Sequence, residues 1–351
     1  MGHWSVVIAI SVVAVAADSR NWDETMKPIT TFRTAVAGTR DYLCLSGAMD
    51  AFEDSERYTR VITYDELDEH TWSFHEENHI VTSIAIWRQS KDSPRFFVTL
   101  GEDGDIGFMD SDEHTEKIPG AGVNSEDAKG WGYMSALKQI GDHLYACGGA
   151  GQVYKRLGPG QWVHMDDGLL QEPDVADRLL PRAIDGPHEN AIYLVGSLAA
   201  MGHPPRAYFW NGQHWRQLEL PPVAERITNI YVESEDRIWL CGANGTLLRG
   251  NAEGGFKSLS TTNDNQLFYS LCKFQGKIYL GSNLGLFVYD PNNHAAGISE
   301  VATGLTPELQ DANIVDSVDG VLWSIGSKDI ARFDGQKWER IHHPDNPRIG
   351  A

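Results

Sequence analysis

Short apolar runs that each end on glycine recur along the chain. They are YLCLSG ending at Gly47, FFVTLG at Gly101, LYACG at Gly148, IYLVG at Gly196, IWLCG at Gly242, IYLG at Gly281 and LWSIG at Gly326. By subtraction, successive glycines lie 54, 47, 48, 46, 39 and 45 residues apart. Runs of this length, rich in β-branched and aromatic residues, read as buried strands. The clearest copy is RIWLCGANGTLLRG, residues 237–250. Ile238 to Cys241 form one strand, and residues 246–248 begin the return strand. Gly242, Ala243, Asn244 and Gly245 make the turn, because glycine and asparagine tolerate positive φ.

Further apolar segments flank each run. Before it lie residues 81–86, 134–140, 227–232, 267–274 and 314–318, an inner strand A. After it, as strand C, lie 152–156, 208–210, 286–289 and 330–333. A fourth strand, D, opens on Trp72, Trp162, Trp215 or Trp338, and three C–D turns are nearly the same: LGPGQW, WNGQHW and FDGQKW. Four strands in a repeat of about 40–50 residues predict one blade of a β-propeller. The chain is therefore read as all-β, with seven four-stranded antiparallel blades over residues 31–343 in one domain, 1–351. The tryptophans are expected to pack between neighbouring blades.

Strands alternate in direction, so A–B and C–D turns share one face and B–C and D–A loops the other. The longest connections are read as 48–58, 119–132, 169–180 and 198–206, all on the second face over blades one to four. A helical turn is expected around 174–179, and blades five to seven are expected to be compact. Loops longer than packing requires carry function. The candidate partner-binding residues are thus Glu53, Asp54, Glu56, Trp131, Tyr133, Asp174, Asp177, Met201, His203 and Arg206.

Charge sharpens this. Lys and Arg number 29 against 49 Asp and Glu, a net −20. That sign opposes phosphate-mediated nucleic-acid binding and attachment to anionic membranes. It fits a basic protein partner or an acidic solvated surface. The four cysteines include Cys147 and Cys241 at one repeat position, where they cannot pair, so they read as small buried apolar residues. Free buried thiols fit a reducing compartment, hence a cytoplasmic protein. It is expected to be a monomer. The apolar N-terminus complicates that expectation. Residues 6–17 could be strands, an anchor or, with cleavage near residue 16, a signal peptide that would mean export.

Chemistry is sparse. There is no HExxH, no CxxC pair, no G-x-S-x-G elbow and no phosphate loop with its lysine. No cofactor, metal site or catalytic set is expected. An enzyme would need side chains converging at the channel mouth, where Arg33, Arg182 and Asp311 start inner strands.

The pattern of IWLCGANGTLLR and LYACGGAGQVYK resembles the β-propeller superfamily of WD40, kelch and sialidase-like repeats, from about residue 31 to the end. Within it the chain looks most like bacterial propellers of unassigned function. VDGVLW at 318–323 echoes a sialidase Asp-box without its Ser and Thr, so no family's catalytic residues carry over. The resemblance and the charge imply a non-enzymatic protein-binding scaffold, in its concrete form an immunity-type protein that neutralises a basic toxin or effector. The alternative is a glycan-acting hydrolase or lyase with its site at the channel mouth.

Overall fold

The twenty-eight strands β1–β28 form seven antiparallel sheets, each built from four consecutive strands. The computed structural model describes residues 29–52, 56–90, 92–110, 114–200, 202–222, 226–260 and 265–349. The N-terminal segment 1–28, with its strand, anchor and signal readings, lies outside them, as do Glu53, Asp54 and Met201. The innermost strands are β1 (Thr30–Ala37), β5 (Val81–Trp87), β9 (Met134–Ile140), β13 (Leu179–His188), β17 (Ile227–Ser234), β21 (Phe268–Phe274) and β25 (Ile314–Val318). Each touches the next, and β25 touches β1, so the ring closes. This is an all-β, seven-bladed propeller, as the repeat predicts.

The core sits between blades. Leu100 and Phe108 of blade two pack with Leu137, Tyr154 and Trp162 of blade three. Trp323 and Ile325 of blade seven pack with Phe32, Leu45 and Tyr64 of blade one. The strand-D tryptophans bridge blades as expected. Trp162 Nε1 donates to Glu116 of blade two at 2.9 Å, and Trp215 Nε1 donates to the Met165 carbonyl of blade three at 2.6 Å.

Packing also explains the repeated glycine. A Cβ at Gly242 would sit 2.0 Å from the Arg226 carbonyl, and one at Gly196 2.1 Å from the Leu180 carbonyl. The strand that follows the inner one runs too close to it there for any side chain. Gly242→Ala is therefore expected to cost about 1–3 kcal/mol through overpacking. Urea unfolding measures it, and an unchanged midpoint would contradict this account. The adjoining turn is as expected: Asn244 (φ 54°) and Gly245 (φ 70°) are both left-handed.

All four cysteines are free and buried. Burial pushes the Cys147 and Cys241 thiols up to about 12, which leaves them unreactive.

Blade seven owns four strands, β25 to β28 (Trp338–Ile341), so the ring closes by contacts from both chain ends. Phe32 N donates to the Ser327 carbonyl at 2.7 Å. The Asn346 amide pairs with both backbone groups of Thr30, at 2.8 and 3.0 Å.

Two expectations are corrected. Residues 174–179 hold no helical turn: Leu179 already belongs to β13. Gln171 explains this, because its N–H donates to the Ala150 carbonyl and its side chain accepts from Leu179 N, holding the segment open. Nor are the later blades uniformly compact. Residues 301–313, between β24 (Ile298–Glu300) and β25, are a longer connection than 50–58 or 199–205, on the same face. Glu308 braces it by accepting from Thr303 N at 2.9 Å and Gly304 N at 2.7 Å.

Candidate functional site

The loop face is held together from one buried carboxylate. Asp103 sits in the turn between β6 (Phe96–Gly101) and β7 (Asp105–Met109), 2 % exposed. It accepts from Val123 N at 2.7 Å and Asn124 N at 3.0 Å. The Arg57 guanidinium also binds it, and bonds the adjacent Glu102 at 2.7 Å. Burial pushes the Asp103 carboxyl up, but the Asn124 and Val123 donors and the Arg57 charge outweigh it and hold the pKa below the ordinary value. Three loops from blades one and two thus share one anchor.

The belt continues. Arg178 donates to the Gly130 carbonyl at 3.2 Å, joining the third-blade loop to the second. Asp177 accepts from Ala200 N at 3.1 Å and lies 3.6 Å from His203 Nε2. On the other side, Lys328 of blade seven pairs with Asp50 of blade one.

Among the expected site residues, Asp177 and His203 meet. Glu56 lines a pocket of about 420 Å³ with Thr31, Arg33, Met49, Phe52 and Tyr58, away from the blade-four pair. Tyr133 is 47 % exposed, with its hydroxyl 3.5 Å from Asn124. Trp131 is half-buried and packs edge-on against His164 at 5.5 Å, which makes it a loop clamp. Arg206 bonds the Pro204 carbonyl of its own loop at 3.2 Å, and Asp174 is exposed. Of the channel-mouth candidates, Asp311 is engaged by Ser327 N at 2.7 Å, Ser327 Oγ at 2.6 Å and Asn313 Nδ2 at 3.2 Å, so it acts as a strut. Arg33 and Arg182 are exposed.

Sequence reasoning missed one recurring position. The first turn of the inner strand bulges in six blades, leaving Arg33, Thr82, Ser135, Arg182, Thr228 and Tyr269 out of register. Where the residue is small, its hydroxyl lies against a strand-B carbonyl: Thr82 on Leu100 at 3.2 Å, Ser135 on Cys147 at 3.1 Å, Thr228 on Cys241 at 3.1 Å. Where it is large, as at Arg33, Arg182 and Tyr269, it is exposed. Aligning inner strands on the strand-B glycines shows this position in the sequence. Exposed apolar side chains on this face, Val123, Tyr133, Val175, Tyr269 and Leu284, were legible only in part.

The relatives fit this geometry. The chain is 28 % identical over 324 residues to the immune protein Tsi7 of Pseudomonas aeruginosa, covering 90 % of this chain and 98 % of Tsi7. No protein-family model matches it. Among solved structures it is similar to the WD40 propeller domain of Doa1, with a TM-score of 0.58 at 11 % identity, covering 87 % of this chain and 92 % of that one. It is equally similar to YCF48 bound to a D1 peptide, with a TM-score of 0.58 at 13 % identity over 91 % of this chain and 93 % of YCF48. The chain shares the β-propeller fold of these structures.

Proposed function

We propose that the chain is a non-enzymatic, immunity-type propeller that binds a protein toxin or effector through its loop face. The similarity to the immune protein Tsi7, over nearly the whole of both chains, carries this reading. The loop face supports it. Its belt is braced by a buried carboxylate, so a partner meets a preformed surface, which lowers the cost of binding. Tyr133, Val175, Tyr269 and Leu284 offer apolar anchors on it. Asp174 and Asp177 flank Val175 in sequence, and Glu53, Asp54, Glu56, Met201, His203 and Arg206 belong to the loops of blades one and four. The net charge of −20 favours a partner that is basic over most of its surface. Buried free thiols favour a protein that works in a reducing cytoplasm.

The test is capture of the partner by tagged chain from its host, followed by expression of that partner alone and with the chain. A protein that arrests growth alone and is neutralised on co-expression supports the reading. A captured protein that is harmless, or not neutralised, refutes it. In the same assay Tyr133→Asp and Val175→Asp are expected to weaken binding about thirtyfold or more, as losses at buried anchors do. Leu67→Asp and Leu157→Asp, more exposed but on the opposite turns, should change it little. Equal losses on both faces would mean that the loop face is not the interface.

A further inference from the structure

The inner strands bring three arginines to the channel mouth on the loop face. Arg33 and Arg182 hold the bulged position of blades one and four, and Arg226 immediately precedes β17 of blade five. Blades four and five are neighbours, so Arg182 and Arg226 start adjacent inner strands, while Arg33 stands across the ring and lines the blade-one pocket. All three are exposed. Other arginines are paired: Arg57, Arg60, Arg156, Arg332 and Arg340 each contact a carboxylate. Arg33, Arg182 and Arg226 pair with no described carboxylate.

The residues between them do not neutralise the mouth. The other bulged positions are Thr82, Ser135, Thr228 and Tyr269, with Asn313 before β25, and none is acidic. Asp311 is taken up by Ser327 and Asn313. Asp50 and Glu56 line the pocket beside Arg33, with Asp50 held by Thr31 and Lys328, so the charge of the mouth is carried by Arg182 and Arg226. Arg182 also carries the mark of an uncompensated site. Burial, and then the charge of Arg226, hold its guanidinium below the ordinary value. A chain of net charge −20 thus keeps unpaired positive charge at the axis of its loop face.

We propose that this mouth is an anion-recognition site that receives an acidic side chain, Asp or Glu, from a loop of the protein partner. Guanidinium groups bind carboxylates in a bidentate fork and lose little entropy doing so. The surrounding charge selects the kind of ligand. A polyanion such as nucleic acid is repelled by the acidic body before it reaches the mouth. A single carboxylate on an otherwise neutral or basic protein is not. The mouth and the apolar anchors then work together: Tyr133 and Val175 supply contact area at the rim, and the arginines fix the register at the centre. The occupant rests on the protein-binding reading; the anion site itself does not.

Two measurements keep the two apart. In the first, the purified chain is titrated with citrate, a tricarboxylate probe, following arginine side-chain N–H resonances. Saturable millimolar binding is expected, weakened about tenfold in Arg182→Gln or Arg226→Gln. No citrate response, or the same response in the variants, would overturn the site. Tight binding of a single-stranded oligonucleotide at physiological salt would overturn its assignment to carboxylates. In the second, the captured partner is titrated against Arg33→Glu, Arg182→Glu and Arg226→Glu. Losses of about tenfold or more, restored when one partner carboxylate is changed to lysine, support the proposal. Normal binding of the partner by all three variants would refute its acidic occupant while leaving the immunity-type reading standing. Thermal unfolding guards against a trivial cause. Arg182 has no carboxylate partner among the described residues, so Arg182→Gln should not lower the melting temperature, and a clear drop would mark it as structural.

Discussion

Replacing Arg156 with methionine is expected to lower the unfolding free energy by about 3–5 kcal/mol, the usual cost of stranding one member of a buried ion pair. Arg156 lies on β11 (Gln152–Gly158) and its partner Glu116 on β8 (His114–Lys117), so the pair joins blade three to blade two. The contact is bidentate: Nε to Oε2 at 2.9 Å and a terminal nitrogen to Oε1 at 2.6 Å. Trp162 donates a third bond to the same carboxylate at 2.9 Å. The two side chains are 9 % and 4 % exposed, so water screens little of this. Burial pushes the Glu116 carboxyl up, and the Arg156 bonds more than reverse it. Methionine keeps an apolar stem but not the guanidinium, whose carbon lies over the Phe108 ring 4.8 Å from its centroid. What it loses is the charge, leaving Glu116 with Trp162 as its remaining side-chain donor.

The pair should therefore behave as a unit. Arg156→Met with Glu116→Leu removes both charges, and most of the lost stability is expected to return. Urea unfolding of the two single variants and the double variant gives the cycle. A double variant as unstable as the sum of the singles would show that packing, not the stranded charge, sets the cost. Arg332 provides the comparison. It reaches Glu66 at 2.6 Å across the joint between blades seven and one, and Glu339 of its own blade at 2.9 Å, but those carboxylates are 39 % and 50 % exposed. Water can take over the partners left behind, so Arg332→Met should cost less than Arg156→Met.

The architecture was legible because its cause is repetitive. Gly196 and Gly242 meet the same steric demand in successive blades, so the residue recurs at the same spacing. Trp162 and Trp215 likewise fill equivalent seams, and their indole N–H groups find partners on the preceding blade. Where a blade departs from the repeat, the signal fades. Strand β24 is Ile298–Glu300 and opens without tryptophan, so the long connection after it passed as compact. The site was legible only as a face. Strand alternation placed the loops together, but which residues stay free depends on tertiary partners. Trp131 looks like an anchor in sequence and is spent on His164, whereas Tyr269 and Leu284 look like core and are exposed. Arg226 shows the same limit from the other side. Nothing local distinguishes it from Arg156, and only the fold gives Arg156 its carboxylate, whereas Arg226 has none among the described residues.

Ring closure makes the remaining large prediction one of pH. His343 follows β28 and folds back over blade one, edge-on to Phe32 at 5.5 Å and Trp72 at 4.7 Å. It is 5 % exposed. Burial, with Arg60 and His342 adding to it and Asp345 opposing, lowers its pKa from 6.5 to about 4. The sign follows from proton linkage. Between those two values the unfolded chain binds a proton that the folded chain refuses, so the stability present above pH 6.5 is lost as pH falls toward 4. At about 1.4 kcal/mol per pH unit this amounts to about 2–3 kcal/mol. The charged imidazolium would also face the Arg60 guanidinium, whose own bond to Asp345 at 3.2 Å anchors the same tail. Acid should thus loosen the seam between the chain ends first, where Asn346 grips Thr30. His343→Phe keeps an aromatic ring between Phe32 and Trp72 and cannot titrate. Its stability is expected to fall less than that of the unmodified chain over this pH range, by about 2–3 kcal/mol, with the two curves parallel above pH 7. Parallel curves throughout would mean that His343 titrates normally in the folded chain, and that acid opens the ring elsewhere.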